Sequence, residues 1–250
     1  MLTEERLAKI LQLLKEMETV SLGELLEVIP ASESTIRRDL TTLENKGELI
    51  RVHGGATLPQ HKLQEATFSE KTTKNLDEKK KIAKYAASIV EHGDCIYLDA
   101  GSTIIQMVPY LSGKNIVAVT NGPSHVEVLM KHDIKTYLIG GLIKTKTNAV
   151  IGHQAIQSLE HYYFDKSFLG MNGFHLTNGY TTPDPEESAV KRKAIQLAEK
   201  AFVLADASKY RQTSFSKVTD LQNAKLITTN LNQSDIDQIR QQTNIKVVDV

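Results

Sequence analysis

The sequence lacks the features on which several large classes of protein depend. It holds one cysteine, Cys95, inside an apolar run, which excludes disulfide frameworks and cysteine-based metal sites. No apolar run approaches the roughly 18 residues of a membrane-spanning helix, and the acidic start MLTEERLAKI is unlike a signal peptide. There is also no net charge, the formal value being +0 at pH 7. We therefore expect a protein of a reducing cytoplasm with no membrane association.

The length of 250 residues exceeds what one small binding module needs and suits such a module joined to a larger domain. The composition, 40% hydrophobic and 24% charged, is that of an ordinary globular protein. The expected organisation is a small domain over residues 1–58, a linker over 59–76 and a large domain over 77–250. The linker is rich in Lys, Thr, Gln and Glu and is expected to be partly ordered around Phe68. It either transmits domain orientation or acts as a passive tether.

The first sixty residues predict three short helices followed by a tight ribbon. Leu7, Ile10 and Leu14 have the spacing of a helix face, and Ser21 with Glu24 forms a capping box for a second helix. Ser32 can cap a third helix that runs to about Asn45. The segment Arg51-Val-His-Gly-Gly then reads as a two-strand wing with its tip at Gly54-Gly55. This order is that of a winged helix-turn-helix.

The third helix carries a face suited to DNA. Ser34, Arg37, Arg38 and Thr41 share its outward side, where guanidinium groups can reach guanine edges or phosphates. The alternative is a solvated face in which the two arginines pair with Glu33, Asp39 or Glu44. The coincidence of three capped helices, the basic face and the ribbon favours DNA.

Charge weakens this interpretation in one respect. Residues 1–60 contain seven Lys/Arg and ten Asp/Glu, a net charge of −3, whereas nucleic-acid-binding domains are usually basic. A single domain this acidic should bind DNA weakly. We therefore expect a homodimer or homotetramer that combines two half-sites.

The large domain contains seven short, nearly continuous apolar runs: CIYLDA, IVAVT, TYLIGG, KSFLG, AFVLADA, KLITT and KVVDV. Helical patterns separate several of them, which predicts an α/β fold with a mostly parallel sheet covered on both faces. Such sheets bind ligands beyond the carboxyl ends of their strands.

Glycine and polar residues accumulate at these strand ends. The segments are Asp99-Ala-Gly-Ser-Thr103, Thr120-Asn-Gly-Pro123, Ile139-Gly-Gly141 and Phe168-Leu-Gly-Met-Asn-Gly-Phe174. Gly101, Ser102 and Thr103 offer backbone N–H groups and hydroxyls at a helix start, a suitable place for a phosphate. Each segment alone could simply form a turn, but four such segments at one edge of the sheet favour a binding pocket.

Three charged residues are further candidates for the site at this edge. Lys191 either reaches back to a phosphate or pairs with Glu187 one helical turn earlier. Asp206 either binds sugar hydroxyls or caps the turn that follows it, and Lys209 could close the pocket.

The segment SESTIRRDL with the wing ELIRVHGGA resembles the DeoR family of bacterial repressors. By this resemblance the chain is a DNA-binding transcriptional repressor, and the residues expected to contact operator DNA are Ser34, Thr35, Arg37, Arg38, Arg51 and His53. Double-stranded operator DNA is the implied partner.

The large domain resembles the DeoR sensor domain, whose fold is similar to that of ribose-5-phosphate isomerase and which typically senses phosphorylated sugars. The resemblance implies effector contacts at Asp99, Gly101, Ser102, Thr103, Thr120, Asn121, Gly122, Gly141, Lys191, Asp206 and Lys209. No cofactor, metal site or catalytic residue is expected. The whole chain most resembles Gram-positive fructose-operon repressors, which implies fructose 1-phosphate as effector, with tagatose 6-phosphate next.

The competing hypothesis is an isomerase-like enzyme with an added DNA-binding domain. Isomerases of this fold carry two carboxylates in an Asp-Gly-Ala-Asp loop, where this chain has Leu169-Gly-Met-Asn172. Their Lys-Gly-Gly-Gly loop is also missing, the corresponding segment being Thr182-Pro-Asp-Pro185. Because proton transfer needs those carboxylates, we expect binding without turnover.

Overall fold

A computed structural model describes residues 2–17, 19–52, 54–58, 62–63 and 65–249. The chain divides into two compact units, Met1–His61 and Lys62–Val250. No helix among the described residues is long and apolar enough to cross a membrane.

The first unit is built from three helices and a small sheet. Its elements are α1 (Thr3–Met17), β1 (Thr19–Ser21), α2 (Leu22–Val28), α3 (Glu33–Asn45), β2 (Ile50–Val52) and β3 (Gly55–Thr57). The winged helix-turn-helix order expected from the sequence is confirmed.

Local chemistry explains where these helices begin. The Ser21 hydroxyl accepts from the Glu24 N–H, and the Glu24 carboxylate accepts from the Ser21 N–H, which completes the expected capping box. Ser32 likewise caps α3 through the N–H of Thr35. The inward faces of the helices and the sheet form one core, which consists of Ile10, Leu14, Val20, Leu25, Ile29, Ile36, Leu40, Leu43, Leu49 and Ala56.

The sheet of the first unit has three strands, not the expected two. β1 pairs antiparallel with β3, which pairs antiparallel with β2, in the order β1-β3-β2. Gly54 takes φ 79°, a left-handed conformation that side chains disfavour. At Gly55 a Cβ would lie 2.2 Å from the Val20 carbonyl oxygen, so the close approach of β1 requires glycine there.

The second unit is an α/β domain. Its helices are α4 (Phe68–Thr73), α5 (Leu76–Ser88), α6 (Pro123–Lys131), α7 (His153–Leu159), α8 (Pro185–Gln196) and α9 (Gln233–Arg240), with short 3₁₀ helices at Ile105–Tyr110, Ala207–Lys209 and Leu221–Asn223. Its strands are β4 (Cys95–Leu98), β5 (Val117–Thr120), β6 (Lys135–Leu138), β7 (Leu142–Lys144), β8 (Ala149–Ile151), β9 (Phe164–Gly170), β10 (Gly173–His175), β11 (Gly179–Thr182), β12 (Ala198–Leu204), β13 (Ser216–Thr219), β14 (Lys225–Thr229) and β15 (Ile245–Val248).

The central sheet has seven strands in the order β15-β14-β12-β9-β4-β5-β6, and every neighbouring pair is parallel. These strands are the seven apolar runs of the sequence, so the mostly parallel sheet is confirmed. Side chains alternate between two cores: Tyr97 packs on one face with α7, α8 and α9, while Ile96 and Leu98 pack on the other with α5. Burial on both faces is what makes the runs continuously apolar.

Two smaller sheets lie beside the central one. β10, β11 and β13 form a three-stranded antiparallel sheet, and β7 pairs with β8 in a hairpin. Neither was expected from the sequence, because these strands are only three or four residues long and show little alternation.

The segment expected to be a linker differs from that expectation over much of its length. The second compact unit begins at Lys62, and α4 lies within it. α4 begins at a second capping box, in which Thr67 and Glu70 bond reciprocally, and the N–H of Phe68 donates to the carbonyl of Lys146 at 2.9 Å. The residues just before α5 are therefore part of the larger unit.

Replacing Gly55 with alanine should destabilise the first unit by about 2 kcal/mol, because overpacking costs typically ~1–3 kcal/mol and the clash is with backbone. Gly23→Ala is the matched control. Its Cβ meets only the Ser21 hydroxyl at 3.8 Å, so the helix should gain about 0.5–1 kcal/mol. Hydrogen exchange of the amides in residues 2–58 measures both. Equal protection in Gly55→Ala and the parent protein would mean that β1 does not pair with β3.

Candidate functional site

The outward face of α3 carries the basic residues expected to bind DNA. Ser34, Arg37 and Arg38 are exposed. Arg37 donates to the Glu33 carboxylate through Nε at 2.9 Å and Nη2 at 2.7 Å, with both side chains about half exposed. An exposed pair of this kind contributes little free energy, so a DNA phosphate can replace the carboxylate. The solvated-face alternative thus describes Arg37 in the free protein.

The other residues of the first unit that were predicted to contact DNA are Thr35, Arg51 and His53. Thr35 is half-buried and its hydroxyl lies 2.8 Å from the Ser32 hydroxyl, so it takes part in the helix cap. Arg51 on β2 donates through Nη1 to the Thr41 hydroxyl at 3.2 Å, which places it beside the basic face. His53 lies outside the described residues.

A buried ion pair fixes α3 against α1. The Arg6 guanidinium donates to both oxygens of Asp39, and the Asp39 side chain is only 4% exposed. Asp39 follows Arg37 and Arg38 directly, yet it faces inward and pairs with neither of them. It holds the helix while the arginines remain on the surface.

In the second unit, the predicted effector residues form a row along one edge of the central sheet. Asp206 follows β12, Gly170 ends β9, Asp99 follows β4 and Asn121 follows β5, and these four strands are consecutive neighbours. Because all are parallel, their carboxyl ends lie at the same edge. We name these residues the edge row.

Asp99 is the centre of the edge row. Its Oδ2 accepts from the N–H of Gly170 at 3.0 Å and from Lys191 Nζ at 2.5 Å. Both members of this ion pair are nearly inaccessible to water, with side chains 2% and 9% exposed. Lys191 therefore points to the edge row, and the alternative i,i+4 pair with Glu187 is not formed.

Thr120 and Asn121 hold the neighbouring turns together. The Thr120 hydroxyl donates to the carbonyl of Leu98 at 2.6 Å and accepts from the Gly122 N–H at 3.0 Å. The Asn121 side chain accepts from the Ala100 N–H at 2.8 Å and donates to the carbonyl of Val150 at 3.2 Å. Their polar groups are already engaged, which suits a role in shaping the site.

Ser102 and Thr103 differ from these framework residues. Both are 7% exposed, and no described residue bonds to either hydroxyl. Gly101 precedes them, and its N–H bonds back to the Asp99 carbonyl at 2.7 Å. The helix expected after this turn is the 3₁₀ helix Ile105–Tyr110 and not an α-helix, so the helix-start argument for a phosphate is weaker here than the sequence indicated.

Gly141 has a structural explanation. At φ 150° an added Cβ would lie 2.8 Å from the Ile151 carbonyl oxygen, so close packing against β8 requires glycine at this position.

Asp206 lies at the β12 end of the edge row. It caps the turn that follows it, which is one of the two roles expected from the sequence. Its Oδ1 accepts from the Ser208 N–H and from the Asn75 side chain, both at 3.1 Å. Lys79 is buried close by, and burial lowers its pKa to about 8, with Asp206 opposing the shift. The positive charges that lower this pKa further are those of Lys209, Lys71 and Lys74.

Sequence reasoning singled out Lys209 but missed the other lysines of this group. Lys79 stands in the run DEKKK, where every lysine has the same local pattern. Only burial separates Lys79, 5% exposed, from its exposed neighbour Lys80.

Sequence reasoning also missed a charged network that shares Lys71 with this group. Lys144 Nζ contacts Glu65 at 2.6 Å, Asp184 at 2.9 Å and Glu187 at 3.0 Å. Glu65 also binds Lys71 at 2.8 Å. Burial alone would lower the pKa of Lys144, but its three carboxylates raise it above the usual value.

This network joins the segment before α4 to the start of α8, the helix that carries Lys191. Glu187 further accepts from the Thr147 hydroxyl at 2.6 Å. Glu65 lies in the segment expected to be a linker. An ionic bridge therefore connects that segment to α8, the helix that carries Lys191. The partners are remote in sequence, and no local pattern indicates the pairing.

The two carboxylate positions of an isomerase are filled differently here. Leu169 is fully buried in the core of the sheet. The side-chain oxygen of Asn172 accepts from the Thr182 hydroxyl at 3.0 Å. Neither group can act as a general base.

Comparisons with known proteins agree with both parts of the chain. The description "DeoR-like helix-turn-helix domain" matches residues 6–62, and "DeoR C terminal sensor domain" matches residues 74–230. Ribose 5-phosphate isomerase A from Neisseria gonorrhoeae is a structural neighbour at 21% identity, with a TM-score of 0.39 over 53% of this chain and 52% of that one.

Two curated relatives extend over nearly the whole sequence. The uncharacterized HTH-type transcriptional regulator FruR of Bacillus subtilis (strain 168) is 47% identical over 249 residues, which is 99% of each chain. The HTH-type transcriptional repressor GlcR of the same organism is 34% identical over 92% of this chain and 89% of its own. Both are named as regulators of transcription, not as enzymes. The chain belongs to the DeoR family of DNA-binding transcriptional regulators.

Proposed function

We propose that this protein represses a sugar-catabolism operon and is released from its operator by a phosphorylated sugar. The observation that carries the proposal lies at the edge row. There the buried pair of Asp99 and Lys191 is followed along the chain by the hydroxyls of Ser102 and Thr103, which have no partner among the described residues. In a chain of this family, which also presents a basic helix face, such a row suits an anionic, hydroxyl-rich effector.

On the DNA side, α3 enters the major groove and the wing lies beside it. The proposed contacts are Ser34, Thr35, Arg37, Arg38, Arg51 and His53. The acidity of the first unit favours a homodimer or homotetramer, because two weak half-site contacts then add.

On the effector side, the phosphate lies against Gly101, Ser102 and Thr103, where the two hydroxyls have no other partner among the described residues. The positive charge comes from Lys191, Lys79 or Lys209. Asp99, Asn121 and Asp206 face the sugar. The full set of proposed contacts is Asp99, Gly101, Ser102, Thr103, Thr120, Asn121, Gly122, Gly141, Lys191, Asp206 and Lys209, to which the buried lysine Lys79 is added.

The route from effector to operator runs through the bridge formed by Glu65, Lys144 and Glu187. A phosphate that draws Lys191 from Asp99 shifts the start of α8, and Glu187 lies one turn before Lys191. The segment that leads to the first unit follows because Lys144 joins Glu187 to Glu65. A coupling of roughly 1–3 kcal/mol, common in allosteric proteins, weakens operator binding about 5- to 150-fold.

Fructose 1-phosphate is the first effector to test, since the whole sequence most resembles fructose-operon repressors, and tagatose 6-phosphate is the second. The burial of Leu169 and the engaged side chain of Asn172 argue against isomerase turnover at this site.

Replacing Arg37 and Arg38 with alanine should abolish operator binding and leave effector binding unchanged. The dependence of affinity on salt should weaken by roughly one unit of slope for each DNA phosphate that the variant no longer binds. Fluorescence anisotropy with operator DNA at several salt concentrations measures both quantities. Lys15→Ala removes an exposed cation from α1 and should change neither. A double variant that also fails to bind effector would contradict the separation of the two sites.

Changing Ser102 and Thr103 to aspartate should produce a repressor that binds operator but ignores effector, because added negative charge repels the phosphate. In thermal unfolding, a sugar phosphate at 100 times its dissociation constant should stabilise the parent protein by about 2.7 kcal/mol. The variant should show no such shift. Ser112→Asp, on an exposed turn, is the control. An unchanged shift in the double variant would remove this turn from the site.

Effector affinity should fall as pH rises through about 8. The lowered pKa of Lys79 means that its proton is held below this pH and lost above it, and only the charged amine attracts a phosphate dianion. Calorimetry should find an affinity about tenfold lower at pH 9 than at pH 7 if the charged form alone binds. Lys79→Met should bind more weakly with no such decline, and Lys80→Met should behave as the parent. A decline that persists in Lys79→Met would assign the titration to another group.

A further inference from the structure

His125 is a buried polar residue that the proposed contacts leave unused. It lies in the first turn of α6 and is 0% exposed. Neither Nδ1 nor Nε2 has a hydrogen-bond partner among the described residues. Buried polar groups are nearly always bonded, so a ring with two unbonded nitrogens calls for a specific explanation.

The position of the ring connects it to the edge row. A Cβ built on Gly122 would lie 3.1 Å from His125 Cγ and Nδ1 and 3.0 Å from Ala100 Cα. The imidazole therefore packs beneath the two turns that follow β4 and β5. Only glycine at position 122 leaves room for it there.

A second side chain covers the ring from the connecting segment. The Phe68 ring lies 6.5 Å from the imidazole, between centroids, and is tilted by 51°. Phe68 is half-buried and is the first residue of α4. Its side chain belongs to a different element from the two turns, which the bonds of Thr120 and Asn121 join to each other.

The protonation state of His125 restricts what it can bind. Burial lowers its pKa to about 4, with the Asp99 carboxylate and a backbone contact with Gly101 opposing the shift, so the ring is neutral at pH 7. The contact with Gly101 does not reach hydrogen-bond geometry, so both ring nitrogens can still bond to a ligand. A neutral imidazole offers one donor and one acceptor. A hydroxyl group matches both, whereas a phosphate dianion only accepts hydrogen bonds.

We propose that His125 binds a hydroxyl group of the effector's sugar and so selects among phosphorylated sugars, and that Phe68 moves aside to admit it. This inference rests on the proposed function, in which the edge row binds a phosphorylated sugar. The phosphate is held by the turn at residues 101–103 and the lysines, and the imidazole binds the carbohydrate. The residue that selects among the sugars is then different from the residues that determine the affinity for phosphate.

The test compares a sugar phosphate with inorganic phosphate in the full chain. Calorimetry measures fructose 1-phosphate, fructose 6-phosphate, tagatose 6-phosphate and inorganic phosphate against the parent protein and His125→Leu. Leucine removes both nitrogens and loses only the backbone contact with Gly101, which falls short of hydrogen-bond geometry, so Tm should change little. The best sugar phosphate should bind about tenfold more weakly, and inorganic phosphate should bind as before.

Two further variants separate a binding role from a structural one. His125→Asn keeps a donor and an acceptor and should restore part of the lost preference for sugar phosphate over inorganic phosphate. His132→Leu, at the other end of α6, should leave both affinities unchanged.

Each contrary outcome has its own meaning. If the parent protein binds none of the sugar phosphates, the proposed function fails and this inference fails with it. If the parent binds one and His125→Leu keeps its preference over inorganic phosphate, only the inference is overturned. A lowered Tm with equal weakening of both ligands would make His125 a structural residue and would also overturn it.

Discussion

The parallel alignment of the seven central strands determines where chemistry can occur in this protein. Each strand runs in the same direction, so every segment that follows a strand emerges at the same edge. Asp99 and Asp206 are far apart in sequence but only two strands apart in the sheet. The helices that pack on the two faces keep the opposite charges of this edge out of water, which makes the electrostatic interactions there strong.

Burial has a consequence for how the site can respond. Removing a charge from water is unfavourable, which explains why several of the buried charges at this edge form ion pairs. Lys191 is held by Asp99, and Lys144 by three carboxylates. An anionic ligand that recruits Lys191 or Lys144 would therefore have to exchange partners with an existing pair. In the proposed mechanism, such an exchange moves the helix or strand that carries the partner.

The sequence alone predicted those helices and strands whose signals lie in neighbouring residues. The seven strands were predictable because burial on both faces makes each run apolar, and α2 and α3 were predictable because their caps lie in adjacent residues. The short strands β1, β7 and β10 carry too few residues to show a period. Partial order around Phe68 was expected, but the helix α4 was not, although the capping box of Thr67 and Glu70 marks its start, because the surrounding segment is polar.

The partners within the site were the harder part to predict. The position of Asp99 after a buried strand was evident, but its ion pair with Lys191 spans two elements that only the fold brings together. The same holds for Lys144 and Glu65. His125 gave no signal, since one histidine on an amphipathic helix is ordinary until both of its ring nitrogens prove to be buried and unbonded among the residues that the structure describes.

The exposed pair between Arg37 and Glu33 bears on how quickly such a regulator could act. A guanidinium already partnered by a carboxylate, in a unit with net negative charge, exerts little long-range attraction on a polyanion. Association with arbitrary DNA is then weak, and the many non-operator sites of a genome retain few molecules. A regulator that has left its site would therefore spend little time bound to neighbouring sequence.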